Sequence, residues 1–510
     1  MSGASVVSLH GFQCEAIDQI ECEIARGVRR VLYVAPTGSG KTVVAAEITR
    51  RAASRCQRVL FLAHRREIID QTSRKLAANG IPLGLHGMVL AGRERDLRPQ
   101  AMVQVASIDT LLARGIRSET MRLPPADIII FDESHRIRGR TREYLVSLYP
   151  DAVLLGLTAT QCRGDGRGLG NIFETMIQAP QVAELIGLGF LVSARVFAPV
   201  DKDIAKGVRT EKGDYVVSAL SARMNTTELV GDVVRDWLQH GERRRTVAFA
   251  VDVAHSVHIR DEFVRAGVRA EHLDGSTRLA EREAILARLG SGKTEVVSNC
   301  MVLTEGWDMP EVGCCILARP TKQLGLYRQM IGRVLRTAPG KADAIILDHA
   351  GAWHRHGLPE DHIEWTLEVD ARAENRTHEA RKRGEAPALR ECPSCKQIMA
   401  APPPCVHCGW EPRPRGREVD FLDGELGLVR GGRAVASAYT PADRRRWYGE
   451  LVALTRQMGK KPGWAYHLYL EKFDEKPLWH WQGIESEPTP EVRSYVRSRQ
   501  IAFAKSRRAA

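Results

Sequence analysis

With 510 residues, 44% hydrophobic and 27% charged, the chain has the composition of a globular protein and room for about three domains of ~150 residues. No stretch approaches the roughly 20 apolar residues of a membrane span, and no basic segment followed by an apolar core opens the chain, so a cytoplasmic protein without membrane contact is expected. The net charge of +12 attracts polyanions but does not by itself make nucleic acid the partner.

In chain order, short β-branched runs at 31–35, 59–63, 102–106, 127–131 and 152–157 read as strands, each followed by a turn and a helical pattern. The rhythm returns at 246–251, 295–299, 314–318 and 344–347. Strands alternating with helices predict α/β units with parallel sheets, which bind ligands at the carboxyl ends of their strands. The charged segment 186–243 is expected to join the two sheets, and 366–391 to form a helical or flexible linker. Seven scattered cysteines (Cys14, Cys22, Cys56, Cys162, Cys300, Cys314, Cys315) read as small buried hydrophobes in a reducing compartment.

After the first strand comes Ala35-Pro-Thr-Gly-Ser-Gly-Lys-Thr42, ahead of a helix-compatible run. Gly38 and Gly40 let backbone amides wrap phosphate oxygens at a helix N-terminus, with Thr37 and Ser39 in the same loop. Lys41 is expected on the β and γ phosphates, and Thr42 on Mg²⁺. Asp132-Glu-Ser-His135 follows the strand ending at Phe131. Asp132 is placed to hold the metal and Glu133 to activate the attacking water, with His135 sensing the nucleotide.

These residues resemble the superfamily 2 DEAD/DEAH-type helicases, whose ordered motifs match over roughly 9–350. The resemblance implies two tandem RecA-like domains, 1–185 and 186–365, with ATP between them. It implies that Gln13 reads adenine and that Ala63-His-Arg-Arg-Glu67 through Gln71 grips the nucleic-acid backbone, with Arg65 and Gln71 in contact. Ser107–Leu112 resembles the next such segment. Thr158-Ala-Thr160 resembles the segment coupling hydrolysis to strand movement. Asp274-Gly-Ser-Thr277 and Val302-Leu-Thr-Glu-Gly-Trp-Asp308 resemble segments touching nucleic acid and nucleotide. Of these residues, Thr158, Thr160 and Thr304 are expected on nucleic acid, and Gly306 and Asp308 on the nucleotide.

Gln329-Met-Ile-Gly-Arg-Val-Leu-Arg336 resembles the last motif. Arg333 and Arg336 stand three apart, hence on one face of a predicted helix. Guanidinium groups reaching the γ-phosphate only when the domains close would make hydrolysis depend on closure. Relatives of the RadD-like bacterial and phage group usually carry proline after the Thr-Ala-Thr segment, where this chain has Gln161. Arg319–Tyr327 and Leu347–Trp353 also resemble that group, which favours DNA (single-stranded, double-stranded or branched) over RNA. The expected activity is an ATP-dependent DNA helicase or translocase of repair, recombination or phage DNA metabolism. A restriction-type motor subunit and an RNA helicase are the alternatives.

Two CxxC knuckles, Cys392-Pro-Ser-Cys395 and Cys405-Val-His-Cys408, offer four thiolates for a structural Zn²⁺ over 392–410. His407 lies between two better ligands and reads as a bystander. The region 411–510 should form a small, mostly helical domain. Residues 410–510 hold ten of the nineteen Trp and Tyr residues, and the end of the chain is a basic tail (Arg493, Arg497, Arg499, Lys505, Arg507, Arg508). The aromatics read either as a core or as a stacking surface for nucleic acid. A single-strand-binding or repair protein is a candidate partner of this end.

Overall fold

The computed structural model describes residues 9–509, apart from 65, 83–84, 137–143, 145–146, 161–167, 200–203, 212, 305, 370–372, 401–403, 412–438 and 482. Arg65, Cys162, Gln161 and the Pro/Arg stretch after Glu411 lie outside the described residues. The chain forms two compact units, 1–414 and 415–510.

The larger unit contains two parallel sheets. The first is built from β1 (Arg30–Val34), β2 (Val59–Ala63), β3 (His86–Val89), β4 (Val103–Ser107), β5 (Ile128–Asp132), β6 (Val153–Thr158) and β7 (Thr175–Gln178), in the order β3-β4-β2-β5-β6-β1-β7. Both faces are covered, so alternate residues enter two cores: Val31 and Tyr33 on one side, Leu32 and Val34 on the other. β6 separates β1 from β5, and at Gly156 a side chain would overlap the Phe173 ring. This arrangement brings the loop after β1, the acids ending β5 and the threonines ending β6 to one edge of the sheet.

The second sheet starts at β8 (Ser193–Phe197), continues past a small hairpin of β9 (Thr210–Glu211) and β10 (Asp214–Tyr215), and takes in β11 (Thr246–Phe249), β12 (Ala270–Leu273), β13 (Val296–Asn299), β14 (Cys314–Leu317) and β15 (Asp343–Asp348). Its order is β12-β13-β11-β14-β15-β8, all parallel. The segment 186–243 is therefore no mere connection. It supplies the edge strand β8, which pairs with β15, and the helix Thr227–His240, whose Trp237 is fully buried and donates to Thr246 Oγ1 at 2.7 Å.

The charged stretch 366–391 carries regular structure. β16 (Ile363–Glu364) pairs with β17 (Glu374–Asn375), the helix Arg376–Lys382 follows, and β18 (Leu389–Glu391) pairs with β19 (Ile398–Ala400). Cys314 and Cys315 are buried on opposite faces of the second sheet as small hydrophobes. Cys22 and Cys56 are exposed, against expectation. Cys22 lies on the outer side of the first helix, and Cys56 closes a helix with a positive φ of 60°.

The smaller unit is helical. Its first helix, Pro441–Gln457, begins with a capping box: Asp443 N–H donates to Thr440 Oγ1 (3.2 Å), and Thr440 N–H donates to the Asp443 carboxylate (3.0 Å). Helices Gly463–Phe473 and Pro490–Ala509 complete it around Trp447, Tyr448, Tyr469 and Trp481. Most of the aromatic excess is thus core, whereas Trp479 is 80% exposed. Among the described residues no helix is long and apolar enough to cross a membrane.

Candidate active site between the two sheets

The loop after β1 ends at Gly40, whose φ of 86° is open to glycine and starts the helix Lys41–Ser54. A side chain at Gly40 would overlap the Gln13 amide, which is fastened behind the loop. Gln13 Nε2 donates to Ser39 O (3.0 Å), and its Oε1 accepts from His10 N–H (3.1 Å). Gln13, expected to read adenine, is buried and spends its amide on the loop itself.

A cleft of about 950 Å³ opens between the sheets. From the first domain Thr37, Gly38, Gly40, Lys41, Thr42, Asp132 and Glu133 line it; from the second come Gly306, Asp308, Arg333 and Arg336. The two domains meet closely here. A side chain at Gly38 would stand 3.1 Å from Arg336 Cγ, and one at Gly332 would stand 2.6 Å from Thr37 Cβ.

Burial pulls the Lys41 ammonium below its ordinary pKa, while Glu133 and Asp132 oppose that shift. Its Nζ donates to Ala35 O at 3.0 Å. Asp132 is raised above the usual carboxylate range by burial and by Glu133 beside it. Two neighbouring carboxylates in one buried spot, with the Thr42 hydroxyl lining the same cleft, are a donor set suited to a hard divalent cation. Glu133 adopts φ 51°, a left-handed conformation uncommon for a residue with a side chain.

His135 joins three motifs. Thr158 Oγ1 donates to Thr160 O (2.7 Å), so it accepts from His135 Nδ1 (2.9 Å). The other ring nitrogen then accepts from the Gln329 amide of the second domain, 3.3 Å away. Acid motif, threonine motif and last motif thus share one hydrogen-bonded chain.

Arg333 and Arg336 do not share a helical face, because their helix, Leu324–Ile331, ends before them. Arg333 is buried and donates to Thr304 O (2.7 Å) and Trp307 O (2.9 Å), holding the 304–308 loop. Arg336 pairs with Asp308. Both still border the cleft.

Of the residues expected on nucleic acid, Thr158, Thr160 and Thr304 are buried in this structure, the last donating to Met301 O at 3.1 Å, and Gln71 lines the cleft. Arg65 is outside the described residues. Lys75 was missed: it lies one helical turn beyond Gln71 and two beyond Ile68, so the helix Arg66–Ala78 turns these three residues toward the cleft.

The four knuckle cysteines converge, with Sγ atoms all within 4.8 Å and pairs at 3.7 and 3.8 Å. Bonds of ~2.3 Å to a tetrahedral Zn²⁺ require sulfur separations of about 3.8 Å, so the set fits. The two knuckles are the same turn twice. Lys396 N–H donates to Cys392 O (2.9 Å) and Gly409 N–H to Cys405 O (2.8 Å), each from a residue with φ near 65–68°. Cys392 N–H and Cys405 N–H then donate to Gln397 O and Trp410 O. His407 turns away: its Nε2 lies 3.4 Å from Arg195 Nη1 on β8.

Comparison with known proteins agrees with this geometry. Residues 7–163 match the family described as type III restriction enzyme, res subunit, and 228–338 match the helicase conserved C-terminal domain. A 51.5 kDa protein of a Lactococcus phage is 33% identical over 330 residues, 65% of this chain and 68% of the phage protein. A Saccharomyces cerevisiae protein provisionally named as the ATP-dependent helicase IRC3 is 28% identical over 361 residues, 68% of this chain and 52% of its own length. A DNA 3'-5' translocase of Sulfurisphaera tokodaii is 22% identical over 374 residues, 65% of this chain and 79% of its own. The chain thus spans about half of the yeast protein, about two thirds of the phage protein and nearly four fifths of the Sulfurisphaera tokodaii protein. With two RecA-like sheets, an acid motif wired across them and these relatives, the chain belongs to the superfamily 2 helicases.

Proposed function

We propose that this chain is a DNA-stimulated ATPase that moves along or separates DNA strands as its two RecA-like domains open and close. One observation carries the reading: a single cleft is lined by the phosphate loop and acids of one domain and by Arg333 and Arg336 of the other. ATP is the substrate that fits it. Loop amides, Lys41 and the helix N-terminus at Gly40 receive the phosphates. Thr42 and Asp132 would hold Mg²⁺, which neutralises charge on the β and γ phosphates. Glu133 accepts a proton from water as its oxygen attacks the γ-phosphorus; the bond to the β,γ-bridging oxygen breaks, and ADP and phosphate leave. Arg336 leaves Asp308 to meet the charge developing on the γ-phosphoryl oxygens, while Arg333 keeps the 304–308 loop in place.

DNA as the track is supported by the relatives' names and by the net charge of +12. The cysteine cluster is read as a zinc clip holding 389–410 against β8. The basic tail adds salt-sensitive DNA affinity, which a truncation at 491 should remove from the salt dependence of binding. ATP-driven displacement of streptavidin from biotin-ended DNA tests the whole reading. Displacement by wild type and not by Glu133→Gln supports translocation; no displacement on any DNA reduces the chain to an ATPase switch.

A further inference from the structure

The chain leaving the second domain does not go straight to the cysteine knuckles. It first returns to the first domain. On the second-domain side it is held from the last motif's own helix: Arg328 donates to Pro359 O and, at 3.3 Å, to Asp361 O. The Asp361 carboxylate pairs with Arg381 (2.6 Å) and accepts from Leu358 N–H (2.9 Å). Midway, Gln181, on the connection between the domains, receives the strand edge of Ile363 with both ends of its amide. Gln181 Nε2 donates to Ile363 O (2.7 Å), and Ile363 N–H donates to Gln181 Oε1 (2.8 Å). On the first-domain side Trp365 and Leu367 pack against the core that includes Leu169, Ile172 and Phe173. Gly170 N–H donates to Leu367 O at 2.6 Å. No side chain fits between: a Cβ on Gly168 would stand 2.5 and 2.6 Å from the carbonyl oxygens of Glu368 and Thr366.

We propose that residues 361–369 are a strap that positions the last motif against the first domain and couples domain closure to the chain following the Thr158-Ala-Thr160 motif. Arg328, which holds the strap, is the immediate neighbour of Gln329, which reaches His135. The strap therefore grips the same short helix that senses the acid motif, and its other end sits on the chain just after the threonine motif. A small pocket bordered by Thr37, Gly332, Ile363 and Trp365 lies between strap and phosphate loop. Gln181 and Trp365 do not line the cleft; they are positioning residues.

The inference rests on the ATPase reading, and its test separates the two. Gln181→Ala, and independently Gly170→Ala, are compared with wild type in the full chain for three quantities. These are binding of a fluorescent ATP analogue, the DNA-stimulated kcat, and amide hydrogen exchange of 363–369 and 168–173. The expected result is unchanged nucleotide affinity, a kcat lowered about tenfold as for a lost coupling contact, and faster exchange confined to the two strapped segments. A strap that exchanges faster with kcat unchanged overturns the proposal and leaves the motor intact. Strap amides that stay protected in both variants overturn it as well. If wild type hydrolyses no ATP, the functional reading falls, and the strap is judged on exchange alone: a non-hydrolysable analogue should slow exchange at 363–369, and no change would refute it.

Discussion

Gly332→Ala should slow hydrolysis without weakening nucleotide binding to the first domain. Gly332 has φ −61° and ψ −15°, which alanine adopts freely, so the backbone term alone would stabilise the protein by about 0.4–1 kcal/mol. The new methyl, however, would stand 2.6 Å from Thr37 Cβ and 3.1 Å from Thr37 Oγ1. Relieving that overlap requires the phosphate loop and the last motif to separate by more than an ångström, and overpacking of this kind costs about 1–3 kcal/mol. The methyl would also stand 2.9 Å from Arg328 O of its own domain, a strain present whether the domains are open or closed. The overlap with Thr37 exists only when the domains meet, so its net effect of about 1–2 kcal/mol falls on closure, a five- to thirtyfold loss in kcat at about 1.4 kcal/mol per decade. Steady-state hydrolysis with saturating DNA, beside equilibrium binding of a nucleotide analogue, separates the two quantities. A kcat within twofold of wild type would show that the domains do not meet at Gly332 during turnover.

Arg336→Ala should lower kcat by about 10³ or more with nucleotide affinity kept, and Arg336→Lys should not restore it, because an ammonium cannot replace the planar fork; recovery with lysine in steady-state assays would contradict the assignment. Burial draws His255 down to about 4, so between the ordinary histidine pKa and that value the unfolded chain binds the proton and the folded one does not. Stability from this site is present above pH ~6.5 and falls by up to about 3 kcal/mol as pH drops toward 4. Asp348, raised to about 6 by burial, contributes with the opposite sign, so the check is the difference between wild type and His255→Gln in urea melts across that range. In the second knuckle Gly409→Ala should lower stability and zinc retention by about 1–2 kcal/mol, whereas Lys396→Gly in the equivalent turn should not. Equal effects would show that the two turns are not equivalent.

The parts of this structure that could be read from the sequence are those with a strong local signal. The nine β-branched runs became interior strands, whose two buried faces demand continuous apolar residues. Within the two large sheets, the four strands that escaped notice, β3, β7, β8 and β12, are the edges. Paired on one side only, they tolerate His86-Gly-Met-Val89, Thr175-Met-Ile-Gln178 or Ala270-Glu-His-Leu273, which carry no such signature. The phosphate loop, Asp132, Glu133 and the cysteine knuckles were legible because spacing alone constrains them. The burial of Thr158, Thr160 and Thr304 was not, since a threonine that caps an internal turn and one that grips a phosphate look alike along a chain. The return of 361–369 to the first domain depends on Gly168, Gly170 and Gln181, nearly two hundred residues away, and no local pattern announces it.

The most direct test of the central claim is ATP hydrolysis by wild type and Lys41→Ala, each alone and with single-stranded, double-stranded and forked DNA and with RNA. The account predicts strong stimulation by a DNA form, exceeding that by RNA and absent in Lys41→Ala. Hydrolysis indifferent to every nucleic acid, or surviving in Lys41→Ala, would contradict a DNA-driven motor working through this cleft.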